Sequence, residues 1–212
     1  MNRTIAAAAL AFAATPALAH HPLKGLPMQT LSDGLLSGLG HPVLGFDHLF
    51  FVVAMGVAAA MAGHLARAPL AYLAAMLAGV VLTAFGLALP AQEAMIVLSL
   101  LAVGGVILSG RALTLAPALV LFAGFGLFHG AAFGQSVAGA EGAAPTAVLA
   151  GYAIGLAAIQ YAIAVAAGLA ARSVAPAAGA VNVRLAGAAV AGVGVFLALE
   201  MAEGPLVAAL AG

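Results

Sequence analysis

Six long apolar segments, separated by short breaks that carry proline, glycine or charge, dominate this sequence. The segments lie at 46–63, 69–89, 92–110, 112–134, 146–171 and 184–203. About 20 apolar residues in a helix cover the roughly 30 Å of a bilayer core. Charged residues make up only 6% of the chain, against about 25% in soluble domains, so polar groups cannot cover a water-facing surface. We therefore predict an all-α membrane protein, a polytopic bundle of about six transmembrane helices in contact with the lipid bilayer.

The N-terminal stretch has the pattern of a secretory signal peptide. Arg3 provides a positive charge, 5–14 is a short apolar region, and Ala17, Leu18 and Ala19 form a small-x-small cleavage site. We expect a cleaved signal peptide at 1–19, with 20–212 as a single transmembrane helical domain. An uncleaved anchor is the alternative. In a bacterial inner membrane, either form places the segment that follows in the periplasm.

Charged residues are divided between the two sides of this topology. With an external N-terminus, the cytoplasmic loops hold Arg67, Arg111, Arg172 and Arg184. The outer side holds the acids Asp33, Asp47, Glu93, Glu141, Glu200 and Glu203. The arginines follow the positive-inside rule, which supports a multi-pass inner-membrane protein with a periplasmic mature N-terminus. The acids make the outer face attract cations. A formal net charge of zero and scattered cations exclude nucleic-acid binding through a basic patch.

Glycines recur at every fourth position on two of the predicted helices. Gly126, Gly130 and Gly134 follow this spacing on the fourth helix, and Gly151 and Gly155 follow it on the fifth. Small residues on one face let membrane helices approach closely. We expect these stripes to serve helix packing, and whether the chain also forms a homo-oligomer is left open.

The densest polar cluster lies at 41–48, where an external segment enters the first predicted helix. In a straight helix His41 and His48 would lie about 10 Å apart, too far to share an ion bound at about 2.1 Å. Pro42 disfavours helical backbone at His41 and Gly45 permits a sharp turn, so we expect a bend that brings His41 back over the helix start. Asp47 would then bind an ion or orient an imidazole. Alternatively, Asp47 is only a helix N-terminal carboxylate and His41 a solvated loop residue.

His129 is the one ionisable residue in the fourth predicted helix. The topology places it at the same membrane face as His48 and at similar depth. Ionisable residues at membrane depth usually face a cavity or a partner. Imidazoles with one carboxylate suit Ni²⁺, Co²⁺, Zn²⁺ or Cu²⁺, so His41, Asp47, His48 and His129 are the candidate metal ligands. The alternative for His129 is a core histidine bonded to a backbone carbonyl.

Three further residues are weaker candidates for a pathway across the membrane. His64 lies at the cytoplasmic end of the first segment, Met55 two turns below His48, and Gln160 near the middle of the fifth segment. An interfacial histidine and a core methionine are the ordinary explanations for the first two. The sequence has no G-x-x-x-x-G-K-[ST] loop and no H-E-x-x-H or G-x-S-x-G motif. We therefore expect no ATP-driven step, no enzymatic activity and no tightly bound cofactor, only a transported divalent metal ion.

These features together resemble the HupE/UreJ family of hydrogenase and urease accessory membrane proteins. The resemblance rests on the signal peptide ending Ala-Leu-Ala, on 40–48 matching the H-P-x-x-G-x-D-H signature, on 127–130 matching an F-H-G motif, and on the six-span plan. It implies a nickel permease, in some members a cobalt permease, with His41, Asp47, His48 and His129 as metal ligands. Family members often continue the second motif as H-x-H-G-x-E, whereas 131–136 here reads Ala-Ala-Phe-Gly-Gln-Ser. A family histidine in the following span corresponds to Gln160, so we expect weaker binding or preference for another ion.

The sequence thus predicts an inner-membrane permease that imports a divalent transition-metal ion for metalloenzyme maturation, with nickel the first candidate and cobalt the second. Two alternatives stay open. One is a membrane-embedded metal-dependent hydrolase, in which three histidines hold Zn²⁺ and Asp47 activates water. The other is a non-transporting, metal-sensing accessory subunit.

Overall fold

Seven α-helices contain most of the residues that the computed structural model describes, which are 28–141, 145–175 and 177–211. In chain order they are α1 (Leu31–Leu44), α2 (Phe46–Met61), α3 (Ala68–Ala84), α4 (Gln92–Leu108), α5 (Leu115–Glu141), α6 (Thr146–Val174) and α7 (Val181–Ala211). No strand occurs in these three stretches. The predicted all-α membrane class is therefore confirmed. The predicted signal peptide at 1–19 lies outside the described residues.

Each of the six predicted segments coincides with one helix, from α2 to α7. The boundaries agree within a few residues except at three ends, one of which is the last, where the helix runs on to Ala211 rather than to 203. The second segment stops at Ala84, because Gly86 adopts a left-handed backbone (φ 80°) and closes the helix. The fourth runs on to Glu141, so His129 lies deeper inside its helix than we expected. Helix α1 was not assigned from the sequence at all.

Length and composition support fewer membrane spans than the six predicted. Three helices, α5, α6 and α7, are long and apolar enough to cross a bilayer, and α1 with α2 would count as a fourth, broken span or as a re-entrant segment. The helices α3 and α4 are apolar but have 17 residues each, about 26 Å at the usual rise per residue. That length is slightly short of the roughly 30 Å bilayer core. Six crossings therefore remain a prediction.

The entry into α2 is bent, as the sequence predicted. The axes of α1 and α2 meet at 81°, with Gly45 extended between them (φ −86°, ψ 99°). The expectation that Pro42 keeps His41 out of a helix is wrong, because α1 continues through both residues to Leu44. The local cost of an internal proline is outweighed here by the close packing of α1 on α6. Thr30 and Asp33 cap the other end of α1 with reciprocal hydrogen bonds.

The predicted glycine stripes are where helices approach most closely. On α5, a Cβ added at Gly130 would overlap the backbone of Met76 on α3. On α6, a Cβ added at Gly151 would overlap the backbone of Leu31 on α1, and Gly155 lies equally close to the next turn of that helix. Packing of small residues therefore joins α3 to α5 and α1 to α6, as expected for membrane helices.

The two ends of the bundle differ in charge. His48 lies in the first turn of α2, whereas Met61, thirteen residues later and about 20 Å along the axis, lines a small cavity together with Arg111. At that same end, Arg184 Nε donates to the backbone carbonyl of Leu108, 2.9 Å away. These arginines thus lie at the opposite end of the bundle from the 41–48 segment.

Candidate metal site

Two imidazoles from different helices meet in the protein interior. His48 on α2 and His129 on α5 have their Nδ1 atoms 2.7 Å apart and their ring centroids 4.9 Å apart. His48 is 7% exposed and His129 is fully buried. The two residues that the predicted topology put at similar depth therefore lie side by side, whereas the membrane face that they occupy stays a prediction. The alternative, a core histidine bonded to a backbone carbonyl, does not match the hydrogen bonds that His129 makes.

The second nitrogen of His129 also has a hydrogen-bond partner. Its Nε2 lies 3.0 Å from Oγ of Ser99 on α4, and that hydroxyl lies 2.6 Å from the carbonyl oxygen of Ile96. Ser99 is fully buried. A continuous line of hydrogen bonds therefore runs from α4 through His129 on α5 to His48 on α2.

Aromatic rings fix the planes of both imidazoles. Phe51, one turn after His48 on α2, stacks on the ring of His129, with centroids 4.4 Å apart and planes 28° apart. Phe133, one turn after His129 on α5, lies over the ring of His48 with centroids 4.2 Å apart. Each helix thus supplies one imidazole and the aromatic ring that covers the other.

His41 returns toward His48 because of the bend. Their ring centroids are 6.5 Å apart, and Nδ1 of His41 lies 3.1 Å from the hydroxyl of Tyr152 on α6. The Tyr152 hydroxyl also lies 3.3 Å from the carbonyl oxygen of Phe133. His41 is therefore partly buried against α5 and α6 and is not a solvated loop residue. Its role as a metal ligand stays a prediction.

The position of Asp47 is compatible with both interpretations considered for it, a helix N-terminal carboxylate and a carboxylate beside the imidazole. It lies in the first turn of α2, where a carboxylate is favoured by the helix dipole. Its Oδ1 accepts a hydrogen bond of 2.9 Å from the backbone N–H of His48. Its Oδ2 is 3.9 Å from Nε2 of His48, and the side chain is 33% exposed. Asp47 therefore faces both the helix start and the imidazole.

These residues border a cavity of about 460 Å³. Its walls are formed by His41, Gly45, Asp47, His48, Gln92, Glu93, Ile96, Ala132, Gln135 and Ser136. A second cavity of about 430 Å³ shares Asp47 and Glu93 and extends to Glu200 on α7. Carboxylates from α2, α4 and α7 thus border adjoining spaces, as the predicted cation-attracting outer face requires.

Three cavity residues come from 131–136, the stretch where the chain departs from the family pattern. Ala132, Gln135 and Ser136 line the cavity, at the positions where the resemblance would imply ionisable residues. Within the described ranges, no group of three or more His, Asp or Glu side chains is arranged to hold one metal ion. His129 itself lies behind His48 rather than at the cavity wall.

Two of the three pathway candidates lie deeper in the bundle and the third lies at its far end. Gln160 is fully buried on α6, where its Oε1 accepts a 2.5 Å hydrogen bond from the hydroxyl of Tyr72 on α3. Met55 is also fully buried, in the apolar core. His64 follows α2 in a turn, with its backbone N–H bonded to the carbonyl of Ala59, far from the imidazole pair.

Four polar residues of this region were not recognised as site residues from the sequence, namely Gln92, Ser99, Tyr72 and Tyr152. Gln92 and Ser99 are seven residues apart on α4 and so lie on one helix face. Both are buried, and the amide nitrogen of Gln92 is the one buried side-chain polar atom in the described part of the chain without a hydrogen-bond partner. A polar stripe at helical spacing inside an apolar segment was the signal that could have identified Gln92 and Ser99.

Comparison with known proteins gives a family match and a related sequence. The sequence profile of the family described as "HupE / UreJ protein" matches residues 8–197. Protein HupE of Rhizobium leguminosarum bv. viciae is 36% identical over 124 residues, which cover 57% of this chain. The matched segment spans 62% of that protein, less than two thirds of its length. No solved structure matches the chain.

Proposed function

The chain belongs to the HupE/UreJ family, and on that premise we propose that it is a permease for a divalent transition-metal ion. Nickel is the first candidate and cobalt the second, and the ion would serve metalloenzyme maturation. The observation that carries the proposal is the imidazole pair of His48 and His129 at the inner end of a carboxylate-bordered cavity. Polar groups at this depth are costly in a membrane and usually line an ion pathway.

The cavity offers donors that suit such an ion. His41, Asp47 and His48 line its wall, and imidazole nitrogens with a carboxylate favour nickel, cobalt, zinc or copper over magnesium or calcium. Asp47 would offset part of the ion's charge, and Glu93 would raise the local cation concentration. Water would complete the coordination shell, because these side chains do not form a closed set of ligands.

Incomplete coordination suits transport better than storage. An ion in transit must bind well enough to enter and weakly enough to leave. Beyond the imidazoles, the Tyr72–Gln160 pair is the next polar position toward the arginine-bearing end, and Met55 lies nearby in the core. We place the cavity on the periplasmic side of a bacterial inner membrane. A divalent ion then gains about 4.6 kcal/mol per 100 mV of inside-negative potential, so ATP is not required.

Uptake into liposomes tests this proposal. The purified full-length chain is reconstituted, an inside-negative potential is imposed, and the accumulated Ni²⁺, Co²⁺, Zn²⁺ and Cu²⁺ are measured directly. We expect uptake of nickel or cobalt by the wild type and its loss in His48→Ala. Gly124→Ala is the control, because an added Cβ there meets nothing within 4 Å and should leave uptake near the wild-type level.

Three results would contradict the proposal. Equal uptake by wild-type protein and His48→Ala would remove the site assignment. Metal-dependent product formation without ion flux would favour the membrane-embedded hydrolase. Metal binding without flux, in the absence of any other protein, would favour the accessory metal-sensing subunit.

A further inference from the structure

The hydroxyl of Ser99 has only one proton, and the geometry shows where that proton is directed. Its Oγ lies 2.6 Å from the carbonyl oxygen of Ile96, and a carbonyl oxygen can only accept a hydrogen bond. Ser99 therefore donates to Ile96. The contact of 3.0 Å between Ser99 Oγ and His129 Nε2 must then be a hydrogen bond that His129 donates.

This assignment fixes the tautomer of His129. A neutral imidazole carries one proton, so with a proton on Nε2 its Nδ1 bears the lone pair. That Nδ1 is 2.7 Å from Nδ1 of His48, and two lone pairs cannot form a hydrogen bond. His48 therefore donates from Nδ1, and the lone pair of its own neutral ring is on Nε2.

The nitrogen selected in this way is the one nearest the carboxylate. Nε2 of His48 lies 3.9 Å from Oδ2 of Asp47, and both residues line the cavity. A histidine that binds a metal through one nitrogen typically donates its other N–H to a partner that fixes tautomer and ring orientation. In this protein that partner is itself an imidazole, whose tautomer depends on Ser99.

We propose that Ser99 is a positioning residue, which acts through His129 to make His48 present Nε2 to the transported ion. The proposal rests on the metal transport proposed above. It also assigns His129 a role different from direct coordination, since both of its nitrogens take part in the line of hydrogen bonds. Neither Ser99 nor His129 needs to touch the ion.

Removing the hydroxyl should move the proton to the other ring nitrogen on both imidazoles. In Ser99→Ala the N–H on Nε2 of His129 faces apolar surroundings, so the proton is better placed on Nδ1. His48 must then accept at Nδ1 and carry its proton on Nε2, the nitrogen that the ion requires. We expect KM for the ion to rise about ten- to a hundredfold, the usual effect of losing such a partner. Ser99→Thr retains a hydroxyl and should restore most of the affinity.

A matched control is available on α3. Thr83 is buried and donates to the carbonyl of Gly79 within its own helix, as Ser99 does to Ile96 on α4, with a longer contact to the carbonyl of Ala131 on α5. Both of these partners are backbone carbonyls and neither is an imidazole. Thr83→Val removes that hydroxyl with little change in shape. Its KM and histidine tautomers should equal those of the wild type.

The test combines uptake kinetics with nuclear magnetic resonance of the metal-free, full-length protein carrying isotope-labelled histidine. Signals are assigned from His48→Gln and His129→Gln variants, and the bonded proton identifies each tautomer. We expect Nδ1–H on His48 and Nε2–H on His129 in the wild type and in Ser99→Thr. In Ser99→Ala we expect both assignments to be reversed.

A proton on Nδ1 of His129 in the wild type would overturn the proposal. So would Ser99→Ala with wild-type tautomers and wild-type KM. If Ser99→Ala does not fold, the wild-type and Ser99→Thr spectra still decide the assignment. The stated tautomers in a protein that shows no metal flux in liposomes would refute the transport function and leave the hydrogen-bond assignment in place, because the resonance measurement does not depend on flux.

Discussion

The close approach of α3 and α5 at Gly130 makes a quantitative prediction about stability and transport. A Cβ added there would lie 2.6 Å from the carbonyl carbon of Met76 and 2.8 Å from its Cα, and would overlap its carbonyl oxygen. Carbon atoms in good contact are about 3.5–4.0 Å apart, so the two helices must separate by about 1 Å in Gly130→Ala. The contact is with backbone, which cannot rotate away as a side chain would.

The expected cost follows from that displacement. Overpacking of a well-packed interior typically costs about 1–3 kcal/mol, which for a chain of this size lowers the unfolding temperature by roughly 2–12 °C. His129 precedes Gly130, so the separation also moves its ring relative to His48 and lengthens the 2.7 Å contact between them. We therefore expect slower uptake as well as earlier thermal unfolding, each measured on purified protein in detergent or liposomes.

Gly124 provides the control on the same helix. An added Cβ at Gly124 meets nothing within 4 Å, so Gly124→Ala should be neutral or should stabilise the helix by about 0.5–1 kcal/mol. Uptake by Gly124→Ala should match the wild type. Equal unfolding temperatures for Gly124→Ala and Gly130→Ala would refute the described packing of α3 against α5.

Three further substitutions test other parts of the site. In Gly45→Ala the new Cβ would lie 3.0 Å from Cδ2 of His48, so the ring must shift and KM for the ion should rise about tenfold; an unchanged KM would argue against this contact. Gln92→Leu removes a buried amide nitrogen without a partner, so the free energy of unfolding of the metal-free protein should rise by about 1 kcal/mol while uptake falls. A lower unfolding temperature would contradict the described burial of this amide. Tyr72→Phe removes the hydroxyl that bonds to the amide oxygen of Gln160 and should lower the free energy of unfolding by about 1–2 kcal/mol. Adding Gln160→Leu should largely restore the unfolding temperature, and no recovery would show that the pair is not coupled.

The similar depth of His48 and His129 was predictable because membrane helices impose a simple geometry, whereas their direct contact was not. A helix of known direction crosses the bilayer at a fixed rise per residue, so sequence position gives depth. Depth and sidedness together placed both imidazoles at one level, although 81 residues separate them. The bend at Gly45 was predictable for a local reason, since glycine interrupts a helix at little steric cost.

Helix α1 was not predictable by the same reasoning. It has 14 residues, too few to span a bilayer, and it carries polar side chains such as Asp33 and Ser37. What holds it is the close backbone contact of Gly34 and Gly38 with α6, and a sequence does not say which helix a glycine stripe will meet. Ser99 was missed for a related reason, because one hydroxyl gains its role only through a partner on another helix.

The line of hydrogen bonds from Ser99 through His129 to His48 also has a consequence for biogenesis. Its members come from α4, α5 and α2, and the residue in the middle is the last to be synthesised. A nascent chain that has emerged only through α4 contains both outer members of the line and lacks the imidazole that joins them. The site is therefore completed late, when α5 enters the bundle beside α3, so in a half-inserted chain the proposed ion passage would be unfinished.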